Sequence, residues 1–256
     1  MRMHWMVRDK PNQKDLKLLI ERIDKVGYES ALFVFGQYVP DNSILVANAL
    51  GEDQKIKLMF AIRPHAITPM LMANMVSAYE KIAPGRYVFN IVSGTFDDET
   101  LFDSVASRDE RKIYCGEFIQ KVRQYVTCKN FPEVAFSGSS DITINNVIKY
   151  GDMIVLHMAD YLRNIERIKP IPKKKMARAW ILVAETDELA TEILEKFIEE
   201  EKEREQVILG SFETVVKKIE ELESYGVTDL LISNFKGIAQ EDVHQMVIRY
   251  LGSRQN

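Results

Sequence analysis

Cysteine is scarce in this sequence, with Cys115 and Cys128 the only two among 256 residues. They form no CxxC pair, and no set of histidines stands near them in the chain, so the usual spacing of a metal site is missing. Two thiols also cannot build the disulfide framework of a small secreted domain. We therefore expect neither a metal site nor a disulfide framework.

Long apolar runs and concentrated positive charge are lacking as well. No run approaches the roughly 20 apolar residues that cross a membrane, and the first residues show no apolar segment of a secretory signal. The formal net charge is −4, with lysine and arginine scattered along the chain, which argues against a nucleic-acid surface. These absences predict a soluble, cytoplasmic protein without a nucleic-acid or membrane partner.

Apolar strand-like runs alternate with longer helical patterns along the whole chain. Runs such as Ile56–Ile62 and Met153–Leu156 are almost continuously apolar, as parallel strands covered on both faces are. Eight strand and helix units predict a closed (β/α)8 TIM barrel, a single domain over residues 1–256, with an open doubly wound sheet as the alternative. The predicted strands are Met3–Val7, Ser30–Phe35, Ile56–Ile62, Tyr87–Val92, Val134–Ser137, Met153–His157, Ala179–Ala184 and Asp229–Ser233.

Helical periodicity fills the segments between these runs. The pattern predicts one long acidic helix between Ala184 and Gly210. The predicted helices are Asp15–Val26, Ser43–Leu50, Pro69–Ile82, Arg108–Tyr125, Ile142–Lys149, a short turn near Tyr161–Ile168, Asp187–Glu205, Phe212–Tyr225 and Gln240–Leu251.

A turn rich in small hydroxyl residues follows the fifth predicted strand. The apolar run Val134-Ala135-Phe136 stops in Ser137-Gly138-Ser139-Ser140-Asp141, which opens a helix. Amide groups at a helix N-terminus, hydroxyl donors and a glycine that permits close approach suit a phosphate dianion. Serine and aspartate are also ordinary helix caps, so plain capping is the alternative. The turn predicts a phosphorylated ligand.

The carboxyl ends of barrel strands carry the chemistry in this fold. Polar residues at these ends are therefore the candidates for a site. They are Arg63, His65, Asn90, Ser93, Ser137 to Ser140, His157, Arg178, Trp180 and Asn234.

Several segments occur in an order that is typical of a known family. They are Ile56–Pro64, Pro84–Gly94, Asp109-Glu110-Arg111, Phe136–Ser140, Arg178, Val183–Glu188, Gly210–Glu213 and Leu230–Ser233. This ordered set resembles the luciferase-like flavin-dependent monooxygenases, nearest the alkanesulfonate monooxygenase branch.

The resemblance implies a two-component, FMNH2-dependent monooxygenase. A separate, transient flavin reductase supplies reduced FMN, and O2 adds to give a flavin C4a-peroxide that oxidises a small organic substrate. The family usually forms homodimers or higher homo-oligomers. Because such a site excludes water, the resemblance implies an apolar lining, for which Trp5, Phe60, Phe89 and Trp180 are candidates. It also implies a non-proline cis peptide near Phe60-Ala61.

The resemblance also implies which residues bind the cofactor. The turn Ser137, Gly138, Ser139 and Ser140 matches the phosphate-binding turn of the family. Asn90 and Ser93 match polar positions that face the flavin. Lys112 replaces a tyrosine that often follows the Asp-Glu-Arg motif, and it still offers a cationic partner for the phosphate.

Catalytic candidates carried over are Arg178, His157 and Trp180. Arg178 matches an active-site arginine of the sulfonate branch, whereas Trp180 replaces a histidine and Phe235 replaces a tyrosine. His157 replaces an aromatic residue and could act as acid or base, or hydrogen-bond a substrate. These departures leave two alternatives open. One is a flavin-binding barrel protein that has lost oxygenase activity, and the other is a deazaflavin (F420)-dependent oxidoreductase.

Overall fold

The computed structural model describes residues 1–7, 13–34, 54–94, 107–236 and 238–254. Strands and helices alternate through these ranges. The strands are β1 Arg2–Val7, β2 Ser30–Phe33, β3 Lys57–Ile62, β4 Tyr87–Ile91, β5 Glu133–Ser137, β6 Met153–His157, β7 Lys174–Val183, β8 Val207–Gly210 and β9 Asp229–Asn234. The helices are α1 Gln13–Val26, α2 Pro69–Ile82, α3 Arg108–Tyr125, α4 Asp141–Tyr150, α5 Met158–Arg163, α6 Ile165–Ile168, α7 Asp187–Phe197, α8 Glu201–Arg204, α9 Phe212–Ser224 and α10 Gln240–Ser253.

Eight of the described strands close into a parallel barrel. Strands β1 to β7 pair in chain order, β7 also pairs with β9, and β9 pairs with β1. All these ladders are parallel. The predicted (β/α)8 barrel is therefore confirmed, and the open sheet is excluded by the β9–β1 closure.

Strand β8 was missed by the sequence prediction. It pairs with the second half of β7, from Trp180 to Val183, after the first half of β7 has paired with β6. Strand β7 begins at Lys174 rather than Ala179 because this first half completes the barrel. The single helix predicted over Asp187–Glu205 is likewise wrong. It ends at Phe197, and Ile198 is extended before the short α8.

Other predicted elements agree with the structure to within a few residues at their ends. The Ser30–Phe35 strand is observed to Phe33, and residue 35 lies outside the described ranges, as does the helix predicted over Ser43–Leu50. No helix in the part of the chain that the structure describes is both long and apolar enough to span a membrane.

The barrel interior consists of layers of side chains. The middle layer is aliphatic and methionine-rich, as barrel cores are. It contains Met6, Leu32, Met59, Val88, Ala135, Met153, Val155, Met176 and Leu231. This layer separates a charged layer at the amino ends of the strands from a polar cavity at their carboxyl ends.

The charged layer centres on Asp229, which is buried. His4 Nε2 lies 2.8 Å from Asp229 Oδ1, and Arg2 donates to Oδ2 at 2.7 Å. The other imidazole nitrogen of His4 lies 2.7 Å from Ser30 Oγ. Ser30, His4 and Asp229 thus form a hydrogen-bonded chain of the residue types found in a catalytic triad. The space beside them, however, is only about 10 Å³. One water needs about that volume, so we interpret this cluster as structural.

Candidate active site

A cavity of about 420 Å³ opens at the carboxyl ends of the barrel strands. Ligand pockets in proteins span roughly 300–1,000 Å³, and TIM-barrel active sites lie at this end. The cavity is lined by Leu32, Val34, Ala61, Arg63, Asn90, Val92, Ser93, Gly94, Arg108, Ser137, Gly138, Val155, Leu156, His157, Asp160, Arg178 and Leu231. It therefore brings together six of the ten predicted site residues: Asn90, Ser93, Ser137, Gly138, His157 and Arg178.

Neighbouring strands supply the polar pair Asn90 and Ser137. Asn90 is buried on β4, and it pairs in register with Ala135 of β5. Ser137, two residues further along β5, donates from Oγ to Asn90 Oδ1 at 2.8 Å. This bond orients the amide of Asn90, so that its Nδ2 group remains as a donor for a ligand.

The turn after β5 combines a glycine in a special conformation with a capped helix. Gly138 has φ +122°, which residues with a side chain rarely adopt, and its amide donates to the Val155 carbonyl at 3.0 Å. Ser140 is the N-cap of α4 and accepts from the Thr143 amide at 3.3 Å. The capping interpretation thus holds for Ser140. The first-turn amides of α4 remain the part of this turn suited to a phosphate.

Ser93 is held in place by a buried arginine. Arg111 on α3 donates from Nε to the Ser93 carbonyl at 3.3 Å. Helix α3 begins with a capping box, in which Ser107 and Glu110 exchange hydrogen bonds. The box fixes the first turn of α3, and the helix carries Arg111 beneath the end of β4. The Asp-Glu-Arg motif therefore positions Ser93.

His157 and Arg178 form a second polar pair on β6 and β7. They are partners in the strand register, and Arg178 Nη1 lies 3.5 Å from His157 Nε2. Burial lowers the pKa of His157, and the positive charge of Arg178 lowers it further. Contacts with Gln206 and Asp160 act in the opposite direction but do not outweigh these effects. His157 is therefore held mainly in its neutral form near neutral pH.

The other four predicted site residues lie elsewhere. Lys112 donates to Asp109 at 2.7 Å, while the Trp180 ring packs 6.0 Å from the Phe235 ring. Neither belongs to the cavity lining, and the same is true of Ser139 and Ser140.

The aromatic residues expected to line the site face outward instead. Phe60 and Phe89 lie 4.9 Å apart between centroids, with Phe60 packed against Tyr79 of α2. Trp5 packs against Tyr28 and His244 of α10. The expected aromatic lining is wrong for these three residues, and the apolar part of the cavity wall is aliphatic. The expected cis peptide is also wrong, since the described peptide bonds are all trans.

Three cavity residues lie outside the set of ten predicted site residues: Arg63, which was one of the strand-end candidates, and Arg108 and Asp160, which were not candidates. Arg63 follows β3 directly, so its strand-end position was the available signal. Asp160 lies in the first turn of α5, three residues after His157, and Arg163 donates to it at 2.9 Å. Gln206, which contacts His157, carried no signal because it precedes the unpredicted strand β8.

Comparison with known protein families identifies the family of this chain. The family model described as luciferase-like monooxygenase matches residues 2–208 of the chain. The chain belongs to this family. Its membership confirms the predicted class of enzyme, a luciferase-like oxidoreductase, and leaves the alkanesulfonate branch undecided.

Solved structures share the fold at low sequence identity. EDTA monooxygenase (EmoA) from Chelativorans sp. BNC1 has a TM-score of 0.81 and 12% identity, with 99% of this chain and 94% of that chain covered. An F420-dependent secondary alcohol dehydrogenase has a TM-score of 0.80 and 13% identity, with 100% of this chain and 99% of that chain covered. Long-chain alkane monooxygenase (LadA) has a TM-score of 0.78 and 12% identity, with 100% of this chain and 92% of that chain covered. At such identities the likeness concerns the fold.

Proposed function

We propose that this luciferase-like protein is a two-component monooxygenase that uses reduced FMN and O2 to oxidise a small organic substrate. The observation that carries the proposal is the set of polar groups at the ends of β4 and β5, beside the N-terminus of α4. Asn90 and Ser93 would meet the flavin ring system, and the turn from Ser137 to Ser140 would meet its phosphate. The cavity volume fits a ligand of this size.

Reduced FMN, when bound, supplies the electrons with which one atom of O2 enters the substrate and the other leaves as water. The chain has to orient the cofactor and keep water away. Aliphatic side chains of Leu32, Val34 and Leu231 line one part of the cavity, where they would exclude water. The bond between Ser137 and Asn90 holds the amide in a fixed direction, which limits reorganisation on binding.

Arg178 and His157 would contact the substrate. In this arrangement Lys112 and Trp180 support the walls rather than the ligand, because Lys112 is paired with Asp109 and Trp180 packs on Phe235. A separate reductase would deliver the reduced flavin transiently, and the working form would be a homodimer in the cytoplasm.

A binding experiment under anaerobic conditions tests the cofactor. Reduced FMN, reduced riboflavin and reduced F420 are titrated into the full chain and followed by absorbance and fluorescence. We expect FMN to bind at least tenfold more tightly than riboflavin, since riboflavin lacks the phosphate that the α4 N-terminus would hold. Tight binding of F420 but not of FMN would replace this proposal by the deazaflavin alternative.

Rapid mixing of the reduced complex with O2 tests the reaction. A transient flavin absorbance that decays slowly supports a monooxygenase. Immediate release of one equivalent of hydrogen peroxide, with no transient, would instead identify a flavin-binding protein without oxygenase activity.

A further inference from the structure

Helices α3 and α4 pack closely against each other at Gly116 of α3. A Cβ atom at this position would lie 2.3 Å from Asn146 Oδ1 and 3.0 Å from Tyr150 Cε2, both on α4, whereas ordinary contacts begin at about 3.4 Å. Glycine is unfavourable inside a helix. We therefore interpret Gly116 as the residue that allows α4 to lie directly on the backbone of α3.

A buried amide links the same two helices. Asn146 is buried, and its Nδ2 donates to the main-chain carbonyl of Lys112 at 2.7 Å. A buried amide is costly unless it is hydrogen-bonded, and asparagine is a poor helix former. One turn further along α4, the Tyr150 hydroxyl donates to Gln120 Oε1 at 3.4 Å. These contacts fix the position of α4 along the axis of α3.

The same contacts bring the first turns of both helices to one level beside the cavity. Lys112 lies four residues after the start of α3 at Arg108, and Asn146 lies five residues after the start of α4 at Asp141. The contacts run in the same direction along both helices, so at about 1.5 Å per residue the helices begin at nearly the same height. Because Arg108 lines the cavity, the first turn of α4 lies next to the cavity as well.

Helix α3 also holds the end of β4. Arg111, directly before Lys112 in the chain, donates from Nε to the Ser93 carbonyl at 3.3 Å. Two consecutive residues of α3 thus contact the two parts of the site to which the proposed function assigns the flavin. Ser93 lies on the side of the ring system, and α4 lies on the side of the phosphate. The distance between these two parts is therefore set by α3.

We propose that α3 fixes the spacing between the end of β4 and the first turn of α4, and that Asn146 is the positioning residue through which this spacing makes the cavity select a phosphorylated flavin. The inference deepens the proposed function and rests on it. Asn146 does not belong to the cavity lining, so it acts through α4. Its bond to Lys112 holds the first-turn amides in place, so that they need little reorganisation when a dianion binds.

Anaerobic titrations of the full chain with reduced FMN and reduced riboflavin test the assignment, because the ratio of the two affinities isolates the phosphate. Asn146→Leu keeps the volume of the side chain and removes its donor. We expect it to weaken FMN about fivefold and riboflavin less than about twofold, since only the α4 amides lose their alignment with the phosphate. Asn146→Ala, which lacks the donor but favours the helix, should change the ratio equally and covers the case in which leucine disturbs the fold.

Gly116→Ala tests the same spacing from the other helix. Its Cβ would displace the Asn146 side chain, so we expect a similar selective loss of FMN affinity. Amide hydrogen exchange of the free protein gives a readout without any cofactor. Exchange over residues 141–147 should be faster in Asn146→Leu and Gly116→Ala than in the parent chain, because α4 is held less firmly.

Tyr161→Phe is the matched control for general destabilisation. The Tyr161 hydroxyl donates to the Tyr225 carbonyl at 3.0 Å, so this variant also loses a hydrogen bond from a buried side chain to the main chain. Tyr161 is on α5 and does not belong to the cavity lining. We expect Tyr161→Phe to unfold at a lower urea concentration than the parent chain and to keep the parent's ratio of FMN to riboflavin affinity.

The outcomes separate this inference from the proposed function. A parent chain that prefers FMN, with the same preference in Asn146→Leu and Asn146→Ala, would overturn the positioning role alone. An equal loss of affinity for both flavins in these variants, or a changed ratio in Tyr161→Phe, would also overturn it, since general destabilisation would then be the cause. A parent chain that binds neither flavin would instead overturn the proposed function, and this inference with it.

Discussion

Ser137 Oγ donates a hydrogen bond to Asn90 Oδ1 across 2.8 Å, which joins the cavity ends of β5 and β4. The two residues are 47 positions apart in the chain. Strand pairing brings them together, and the bond gives the cavity a rigid polar edge.

A double-mutant cycle on this pair measures its part in cofactor binding. We expect Asn90→Ala to weaken FMN about tenfold, because a ligand hydrogen bond is lost, and Ser137→Ala to weaken it about fivefold, because the amide is no longer oriented. The double variant should be little worse than Asn90→Ala, since the residues act together. Fluorescence titration gives the affinities. Strictly additive losses would show that the two side chains bind independently.

Gly138 provides a test of the turn itself. With φ +122°, alanine at this position is strained and its Cβ would lie 3.4 Å from Thr143 Oγ1. We expect Gly138→Ala to lower the free energy of unfolding by about 1–3 kcal/mol and to weaken FMN at least fivefold.

Gly85 is the matched control for this prediction. It also has a positive φ, +70°, but a Cβ there meets no atom within 4 Å. Gly85→Ala should show a backbone penalty in urea unfolding without any change in FMN affinity. A parallel loss of FMN affinity in both variants would mean that the effect comes from general destabilisation.

Asp229 predicts a pH dependence of stability. Burial would raise its pKa, but hydrogen bonds from His4, Thr228 and Arg2 lower it to about 2, below the ordinary 3.8. A depressed carboxyl pKa stabilises the fold above the unfolded value and loses this contribution as pH falls towards the folded value. We expect Asp229→Asn to cost about 3 kcal/mol at pH 7, and the difference from the parent chain to shrink below pH 4.

Urea unfolding at pH 7, 5 and 3 measures this difference. Glu213→Gln is the control, because Glu213 forms an exposed ion pair with Arg249 at 3.9 Å. Exposed ion pairs contribute little to the free energy of unfolding, so this variant should unfold as the parent chain does at each pH. A constant deficit of Asp229→Asn down to pH 3 would contradict the assigned ionisation.

Exposed apolar side chains on α2 predict the association of two chains. Leu71 and Ile82 are 53% and 55% exposed, and exposed apolar patches commonly mark interfaces. We expect the parent chain to be a dimer by light scattering and Leu71→Asp/Ile82→Asp to be a monomer. Leu18→Asp on α1, at a position of similar exposure, should remain a dimer. A parent chain that is monomeric at all concentrations would refute the predicted homodimer.

The carboxyl-end cavity and its hydroxyl-rich turn were predictable because both rest on local signals. Alternating apolar runs and amphipathic helices indicate the barrel, and the residue after a strand is known to lie at its end. The cap at Ser140 follows from residue type alone. These features need no knowledge of distant contacts.

The sequence could not predict which side chains point into the barrel on strands that are buried on both faces. All but the first residue of β3, Lys57–Ile62, are buried, so alternation cannot distinguish the inward Met59 from the outward Phe60. Strand β8 was missed for a related reason, since its four residues gain their partner only from the second half of β7.

The sequence by itself therefore determined the barrel, the order of its strands and the end at which polar groups collect, because periodicity and caps act over a few residues. Tertiary structure alone decided which groups meet. Register across β4 and β5 joins Asn90 to Ser137, and register across β6 and β7 joins His157 to Arg178. Such pairing depends on hydrogen bonds between segments far apart in the chain, and no local pattern encodes it.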